Sequence, residues 1–395
     1  MWSDSVPEKL RGIIDKEKYS LSQNYYRLNN KFSNISSSFF LVVILAMLFL
    51  GGFAWVDNLA RSITGNRILL SIIFFGIIGL ASDLISLPFS WYDTFRIEEK
   101  FGFNKTKRTT FFLDQLKSWL LAVLVGVPVL ALITWIYYVA GELFWLYAWG
   151  IISVISIFMN MFYSVLIVPL FNKQKPLEEG KLRSEIEIMT EKAGFTLSDI
   201  YTIDGSKRST KANAYFAGLG PKKRIVLFDT LINDLEVSEI TAVLAHEIGH
   251  YKKKHSLTMM LYGIVQIGIM LFIFSILSGN ENLSRAMGTE IQSFHLSVMA
   301  FILIYSPVSR IISLFMNYLS RKHEYEADSF AEKIYNGLSL ASALKKLSVK
   351  NLSNLNPHPA YVFVHYSHPP LLKRIENIEK IPDDPRKVHP ETFGL

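Results

Sequence analysis

The chain has no cysteine, which excludes disulfides and any thiolate-ligated metal site. Charge is scarce: Asp, Glu, Lys and Arg make up 19% of 395 residues, whereas half are apolar, 13% are aromatic and the mean hydropathy is positive. That balance is too apolar for an ordinary soluble enzyme. There is no low-complexity tract and no internal repeat. The net charge of +7 comes without a basic stripe interleaved with aromatics, so nucleic acid is not an expected partner. The opening "MWSDSVPEKL" is polar, and the first apolar run lacks a small-residue cleavage site, so that run is expected to remain as an anchor rather than leave as a secretory leader.

What the chain has instead is long apolar runs. A bilayer core of about 30 Å needs roughly 20 apolar residues in a helix. Six runs qualify: 38–56, about 69–91, about 118–140, about 144–171, about 257–278 and about 294–319. The third and fourth are separated by little more than "AGEL" and read as a tight helical hairpin. The hydrophilic segments between runs alternate in basic content. Residues 1–37 carry six Lys/Arg, 57–68 two, 92–117 six, 141–143 none, 172–256 many, 279–293 only Arg285 and the tail many. By the positive-inside rule, six spans with both termini in the cytoplasm are expected.

The expected organisation is a cytoplasmic segment 1–37, four spans within 38–171, a polar insert 172–256, two spans within 257–320 and a polar tail 321–395. The insert reads as globular. "PLEEGKLRSEIEIMTEKAGF" has helical spacing of Leu, Ile and Met ending at Gly194. Two strand-like runs follow, "ANAYFAG" and "RIVLFDTLI", joined by "LGPKK". A helix is then expected from near Asp234 or Ser238, through His246 and on towards the fifth span. The predicted fold class is mainly α, a polytopic membrane protein with about six spans capped by a domain containing a small β-hairpin or sheet.

The stretch "VLAHEIGHYKKKHSLTMM" carries the chemistry. His246 and His250 lie four apart, hence on one helix face, where two imidazoles can meet one metal ion. Glu247 follows the first histidine. This is the H-E-x-x-H arrangement, in which the glutamate acts as general base towards the attacking water of a zinc peptidase. The same spacing also arises when two surface histidines share an amphipathic helix, so a third ligand decides. A catalytic zinc takes three protein ligands and keeps an open position. "SRKHEYEADSFA", directly after the sixth run, offers Glu324 as an oxygen ligand. Asp328, four residues on, is placed to accept the free N–H of a ligating histidine.

These motifs resemble the type-1 CAAX prenyl protease family of membrane-embedded zinc endopeptidases. "FRIEEKFGFNKT" (95–106), "VPLFNKQKPLEEGKLR" (168–183), "IDGSKRSTKANAYFAG" (203–218), "KRIVLFDTLI" (223–232) and "HYSHPPLLKR" (365–374) are similar to family blocks in the family's order. The resemblance implies one zinc ion held by His246, His250 and Glu324, with Glu247 as catalytic base and Asp328 behind the ligands. It implies that His368 stabilises the oxyanion and that Arg374 orders the site. "NAYF" matches the segment whose edge strand holds substrate, which assigns Asn213, Ala214 and Phe216 to substrate binding. That agrees with capture of an extended peptide by strand addition. His255 also sits at a family position, without a role implied beyond capping the interfacial end of the metal helix.

The family further implies a chamber ringed by the helices. Asp83 and Arg310 lie within apolar runs, either as an interior ion pair or a snorkelling end residue, or facing such a hydrated chamber. Eukaryotic members carry a span ahead of the block similar to "VPEKLRGIIDKEKY", with which this chain begins; the expectation is a bacterial-type member in an inner membrane, or one of the endoplasmic reticulum if eukaryotic. The expected substrate is a prenylated CAAX-type or other membrane-associated peptide. Alternatives are a quality-control protease independent of prenylation, or a non-proteolytic transporter or scaffold.

Overall fold

The computed structural model describes residues 6–195, 199–217 and 224–380. Helices dominate. The first group is α1 (Lys16–Phe49), α2 (Gly52–Ile63), α3 (Arg67–Tyr92), α4 (Arg108–Leu121), α5 (Val127–Ala140), α6 (Phe144–Leu166) and the short α7 (Val168–Phe171). A mixed segment follows: β1 (Gln174–Pro176), α8 (Lys181–Lys192), β2 (Asp199–Ile203), β3 (Ala214–Ala217), β4 (Arg224–Phe228) and α9 (Asp229–Asp234). The last group is α10 (Val237–Lys252), α11 (His255–Leu277), α12 (Glu281–Ala286), α13 (Phe294–Ile334), α14 (Gly337–Lys350), α15 (Pro359–His365) and α16 (Leu371–Glu379).

Among the described residues, five helical stretches are long and apolar enough to cross a membrane: 16–49, 67–98, 108–171, 255–277 and 294–334. Each of the six runs read from the sequence overlaps one of these five, and the third and fourth share the stretch 108–171. That stretch folds back at Gly141, whose φ of 55° and ψ of −129° suit only glycine, so α5 and α6 pack as a hairpin. The first run is corrected at both ends. Its helix begins at Lys16, capped by the Asp15 side chain, and it stops at Phe49, where Gly51 at φ 69° turns the chain into α2. Helix α2 is amphipathic and buries Phe53, Val56 and Ala60 instead of continuing the span.

The spans do not pack as a solid bundle. No more than 17% of each apolar window is buried. In α13 the residues Ser306, Pro307, Val308, Arg310 and Ile311 are all exposed, which at 100° per residue covers an arc of roughly 200°. Arg310 lies on that exposed arc. Asp83 is not paired with Arg310; it accepts hydrogen bonds from Gln115 Nε2 and Trp119 Nε1, both at 2.6 Å, which satisfies its oxygen within the α3–α4 wall. Where helices do touch in the membrane they approach closely: a Cβ on Gly268 of α11 would lie 2.9 Å from the Trp149 indole of α6.

Two apolar clusters close one end of the ring. One joins α2, α3, α12 and α13 around Phe53, Phe74, Leu283 and Leu296, and the other joins α5, α6, α11 and α13 around Phe144, Phe274 and Phe301. A buried polar lock ties the first: His295 Nε2 lies 2.7 Å from Asp57 Oδ1, and Arg61 Nε donates to Asp57 Oδ2 at 2.8 Å. Each charge is paired, as burial requires.

The other end carries the mixed domain. Its sheet runs β1-β2-β4-β3, with β2 and β4 parallel and the rest antiparallel. The expected hairpin of "ANAYFAG" and "RIVLFDTLI" is present as β3 and β4, but "DTLI" belongs to α9, and β1 and β2 add two strands to it. The connecting "LGPKK" lies outside the described residues. The core beneath the sheet gathers Ile186, Met189, Ile225, Leu227, Leu231, Ile240, Leu244 and Ile248. The N-terminal Leu10 and Tyr19 pack on Leu355, Leu371 and Ile375, so the two ends of the chain share one core.

Candidate metal centre

Helix α10 is built to hold one face rigid. Glu236 and Glu239 form a reciprocal capping box at its start, and the Glu239 carboxylate also takes Ser342 Oγ at 2.6 Å and Lys346 Nζ at 2.8 Å from α14. Burial raises the Glu239 pKa, but these donors outweigh it and hold the carboxyl below its ordinary value. Ile240, Leu244 and Ile248 recur every four residues and are wholly buried. Each contributes about 1.5–3 kcal/mol of burial free energy. The opposite face presents His246 and His250.

Glu324 reaches them from α13. This 41-residue helix is about 62 Å long, twice a bilayer core, so it crosses the membrane and still continues past the ring. Glu324 stands 14 residues, about 21 Å, beyond Arg310. Helices α10 and α13 form the most extensive helix pair among the described residues, and Gly249 sits at the contact. A Cβ there would lie 3.2 Å from the Cα and carbonyl oxygen of Ala327 and 3.1 Å from Phe330 Cβ. The second variable position of "HEIGH" is therefore glycine for a steric reason.

The resulting triangle is compact. His246 Nε2 and His250 Nε2 are 3.1 Å apart, His246 Nε2 lies 3.5 Å from Glu324 Oε2, and His250 Nε2 lies 3.3 Å from Glu324 Oε1. Ligands at 2.0–2.1 Å around a tetrahedral zinc are separated by about 3.3 Å, so the triangle fits the ion. Glu324 is buried, and its Oε2 accepts no hydrogen bond among the described residues, as expected of an oxygen kept for a cation. Among the described residues, these three form a group whose ligand atoms all lie within 4.8 Å of one another.

Behind the triangle, His246 Nδ1 lies 2.8 Å from Asp328 Oδ1, which places the proton on Nδ1 and the lone pair on Nε2. Asp328 is fully buried and gripped by Arg374 of α16, through Nε at 2.9 Å and Nη2 at 2.5 Å. Arg374 Nη1 is also 3.3 Å from Glu324 Oε2. Arg374 Nη2 lies 3.3 Å from His246 Nδ1, but that nitrogen donates to Asp328, so the approach is proximity rather than a hydrogen bond. Burial and Arg374 push the His246 imidazole down; the carboxylates of Asp328 and Glu324 prevail and raise it to about 9. Metal and proton compete there for the same Nε2.

Glu247 is half-buried and makes no hydrogen bond or ion pair among the described residues, so its carboxylate is available to a reactant. His368 is exposed, with Nε2 3.3 Å from Glu324 Oε1. Sequence reasoning missed what holds it: Arg321, one turn before Glu324, donates to Tyr366 O at 2.6 Å and Val362 O at 3.3 Å and so fixes the end of α15. Nothing in the residue pattern distinguishes this arginine from a solvated one. His255 does not continue the metal helix. It opens α11 after a break at Lys254, so the single helix expected to run from the zinc motif into the fifth span is two helices.

Strand β3 forms a free edge of the sheet. Phe228 N donates to Asn213 O at 3.1 Å, and the register pairs Tyr215 with Val226. By antiparallel alternation, the backbone N–H and C=O groups of Ala214 and Phe216 therefore point to the open edge. The Phe216 side chain packs inward on Phe195 and Tyr251, leaving only its backbone for a ligand. Asn213 is exposed at the strand start. The edge is anchored from the membrane side: Arg208 makes a bidentate pair with Asp114 at 2.8 and 2.9 Å, and Lys211 pairs with Glu98 at 2.7 Å.

A ring of membrane helices capped by a largely buried His-His-Glu triangle, two of its members on an H-E-x-x-H helix, defines a membrane-embedded metallopeptidase. Two family models cover nearly the whole chain. Residues 2–173 match the CAAX prenyl protease N-terminal region, described as five membrane helices, and residues 176–382 match peptidase family M48. The chain belongs to the M48 zinc metallopeptidases of the CAAX prenyl protease type. It is 36% identical over 384 residues to the CAAX prenyl protease 1 homolog of Dictyostelium discoideum, covering 95% of this chain and 89% of the relative. It is 34% identical over 402 residues to CAAX prenyl protease 1 of Saccharomyces cerevisiae, again covering 95% and 89%. The crystal structure of S. mikatae Ste24p superposes with a TM-score of 0.90 at 35% identity, covering 95% and 92% of the two chains.

Replacing Gly249 by alanine is expected to force α10 and α13 apart and cost about 1–3 kcal/mol. Thermal unfolding in detergent measures this, and a Gly249→Ala protein as stable as its parent would show that the helices have room.

Proposed function

We propose that this chain cleaves peptide bonds near the C-terminus of prenylated CAAX-type peptides, with His246, His250 and Glu324 as the zinc ligands. The observation that carries the reading is the 3.1–3.5 Å triangle closed by a carboxylate from a second, membrane-crossing helix. When bound, zinc supplies a Lewis acid that polarises the scissile carbonyl and lowers the pKa of a water towards 7. Everything else falls to the chain's own groups. Asp328, held by Arg374, keeps His246 in the ligating tautomer. A substrate lies as an added strand on β3, bonded to the backbone of Ala214 and Phe216, with Asn213 beside the scissile bond. Glu247 takes the proton of the attacking water and delivers it to the departing amine. His368, exposed beside Glu324, donates to the developing oxyanion, a contribution of about 3–4 kcal/mol for donors of this kind.

The alternation of Lys/Arg between segments supports a cytosolic placement of the zinc domain and both termini. In a bacterial inner membrane or in the endoplasmic reticulum, substrate then reaches the centre from the cytosol.

Three outcomes follow. Glu247→Gln is expected to retain one zinc per chain while losing cleavage by at least 10²-fold, whereas Glu324→Ala purifies without metal; an active Glu247→Gln enzyme refutes the scheme. A farnesylated CAAX peptide is expected to be cut and its unprenylated twin to be cut poorly. Equal turnover of the two would assign the enzyme to quality control of membrane proteins instead, and zinc without any peptide turnover would mark a scaffold or transporter. For orientation, the absence of native cysteine gives a clean background: a cysteine at Asn282 should react only with an impermeant reagent added outside, and one at Lys192 only after the membrane is opened.

A further inference from the structure

His255 has no part in the scheme above, yet it is buried and adjoins the metal ligands. Its position is produced by a break in the helix. Five residues along an uninterrupted α-helix would rotate a side chain by 500°, about 140° away from His250 and onto another face. Lys254 instead adopts φ 59° and ψ 27°, a left-handed conformation that non-glycine residues adopt rarely. Its N–H closes on Tyr251 O at 2.9 Å. The turn swings His255 back under His250, and the two Nδ1 atoms come within 3.1 Å.

The proton arrangement follows from what surrounds each ring. His255 Nε2 lies 3.1 Å from Glu326 Oε2, an acceptor, so Nε2 carries the proton and Nδ1 has the lone pair. His250 Nε2 faces His246 and Glu324 and must offer its lone pair to the ion, so its proton sits on Nδ1 and points at His255. The hydrogen bonds then run in one direction, from His250 to His255 to Glu326. His323 stacks flat on His255, with centroids 4.0 Å apart and planes 7° from parallel, which fixes the ring plane.

We propose that His255 is a positioning residue for the metal centre: its Nδ1 accepts the Nδ1 proton of His250 and so fixes the tautomer and orientation that turn the Nε2 of His250 towards Glu324 and His246. It serves His250 as Asp328 serves His246, with a histidine interposed between the ligand and the carboxylate. The inference rests on the proposed ligand set.

The test is competition between the full-length protein in detergent and a chelator for zinc. His255→Phe keeps the ring and its stack on His323 but removes the acceptor, and is expected to bind zinc 10–100-fold more weakly. His255→Asn places an amide oxygen close to where Nδ1 lies and is expected to recover most of that loss. The visible spectrum of the cobalt-substituted protein should shift in the Phe variant and return in the Asn variant. A folded Phe variant with the parent's zinc affinity, or an Asn variant no better than Phe, overturns the proposal. Should the Phe variant not fold, Glu326→Ala on its half-exposed carboxylate takes its place: several-fold weaker binding supports the relay, and unchanged binding overturns it. His250→Ala separates the two levels. If it binds zinc as tightly as the parent, the ligand set itself is wrong; if it loses zinc while His255→Phe does not, only the present inference fails.

Discussion

The contact on which the rest depends is the close approach of α10 and α13 at Gly249. Neither helix holds a metal site alone. His246 and His250 would be two histidines on an amphipathic face, and Glu324 would be an acid on a long helix emerging from a membrane. Brought together at backbone distance, they become a triangle with edges of 3.1–3.5 Å. Because the apolar side of α10 is locked by Ile240, Leu244 and Ile248, the polar side has no freedom to turn away. Arg374 then binds Asp328 and approaches Glu324, so the third helix, α16, neutralises the carboxylates that a cation would otherwise have to balance alone.

The same helix α13 explains how hydrolysis is reconciled with a bilayer. It crosses the membrane and delivers Glu324 about 21 Å beyond Arg310. The ring is closed at the far end by clusters of aromatic side chains and by the Asp57–His295–Arg61 lock, while its near end is roofed by the mixed domain. A hollow arrangement exposes polar groups at membrane depth without exposing them to lipid, which is the condition under which such groups are tolerated there. The edge strand is tied to this wall through Asp114 and Glu98, so the open edge of β3 is held in register with the ring as well as with the metal centre.

Much of this was legible in the residues. Long apolar runs identify membrane helices because length and hydropathy alone decide them, and H-E-x-x-H identifies a metal helix because four residues make one turn. Glu324 and Asp328 were legible as a pair by the same spacing. What escaped were features set by tertiary contact or by a single dihedral. The apolar run 38–56 does not reveal that Gly51 reverses the chain, because the pattern stays apolar through the turn. Strands β1 and β2 are short, and a parallel partner distant in sequence decides β2. Asp83 reads as a candidate for an ion pair, yet two neutral donors on α4 satisfy it. The need for glycine at 249 is invisible until Ala327 is placed against it, and Arg321 is indistinguishable in sequence from any surface arginine.

The segment from Val243 to Phe272 places a reaction that consumes water directly beside a helix that avoids it. Lys254 resolves the conflict by ending one helix and starting another. Were the helix continuous, the axis of the metal site would be dictated by the tilt of a membrane span, and every adjustment of that span to the bilayer would be transmitted to His250. With the break, α10 takes its direction from the core of the mixed domain and α11 takes its own from α6 and α13, to which it is packed. The left-handed residue costs conformational energy, and the two lysines before it, Lys252 and Lys253, suit the end of α10 electrostatically. The strain is offset by a gain in independence, since the metal geometry and the membrane geometry no longer have to be satisfied by one straight rod.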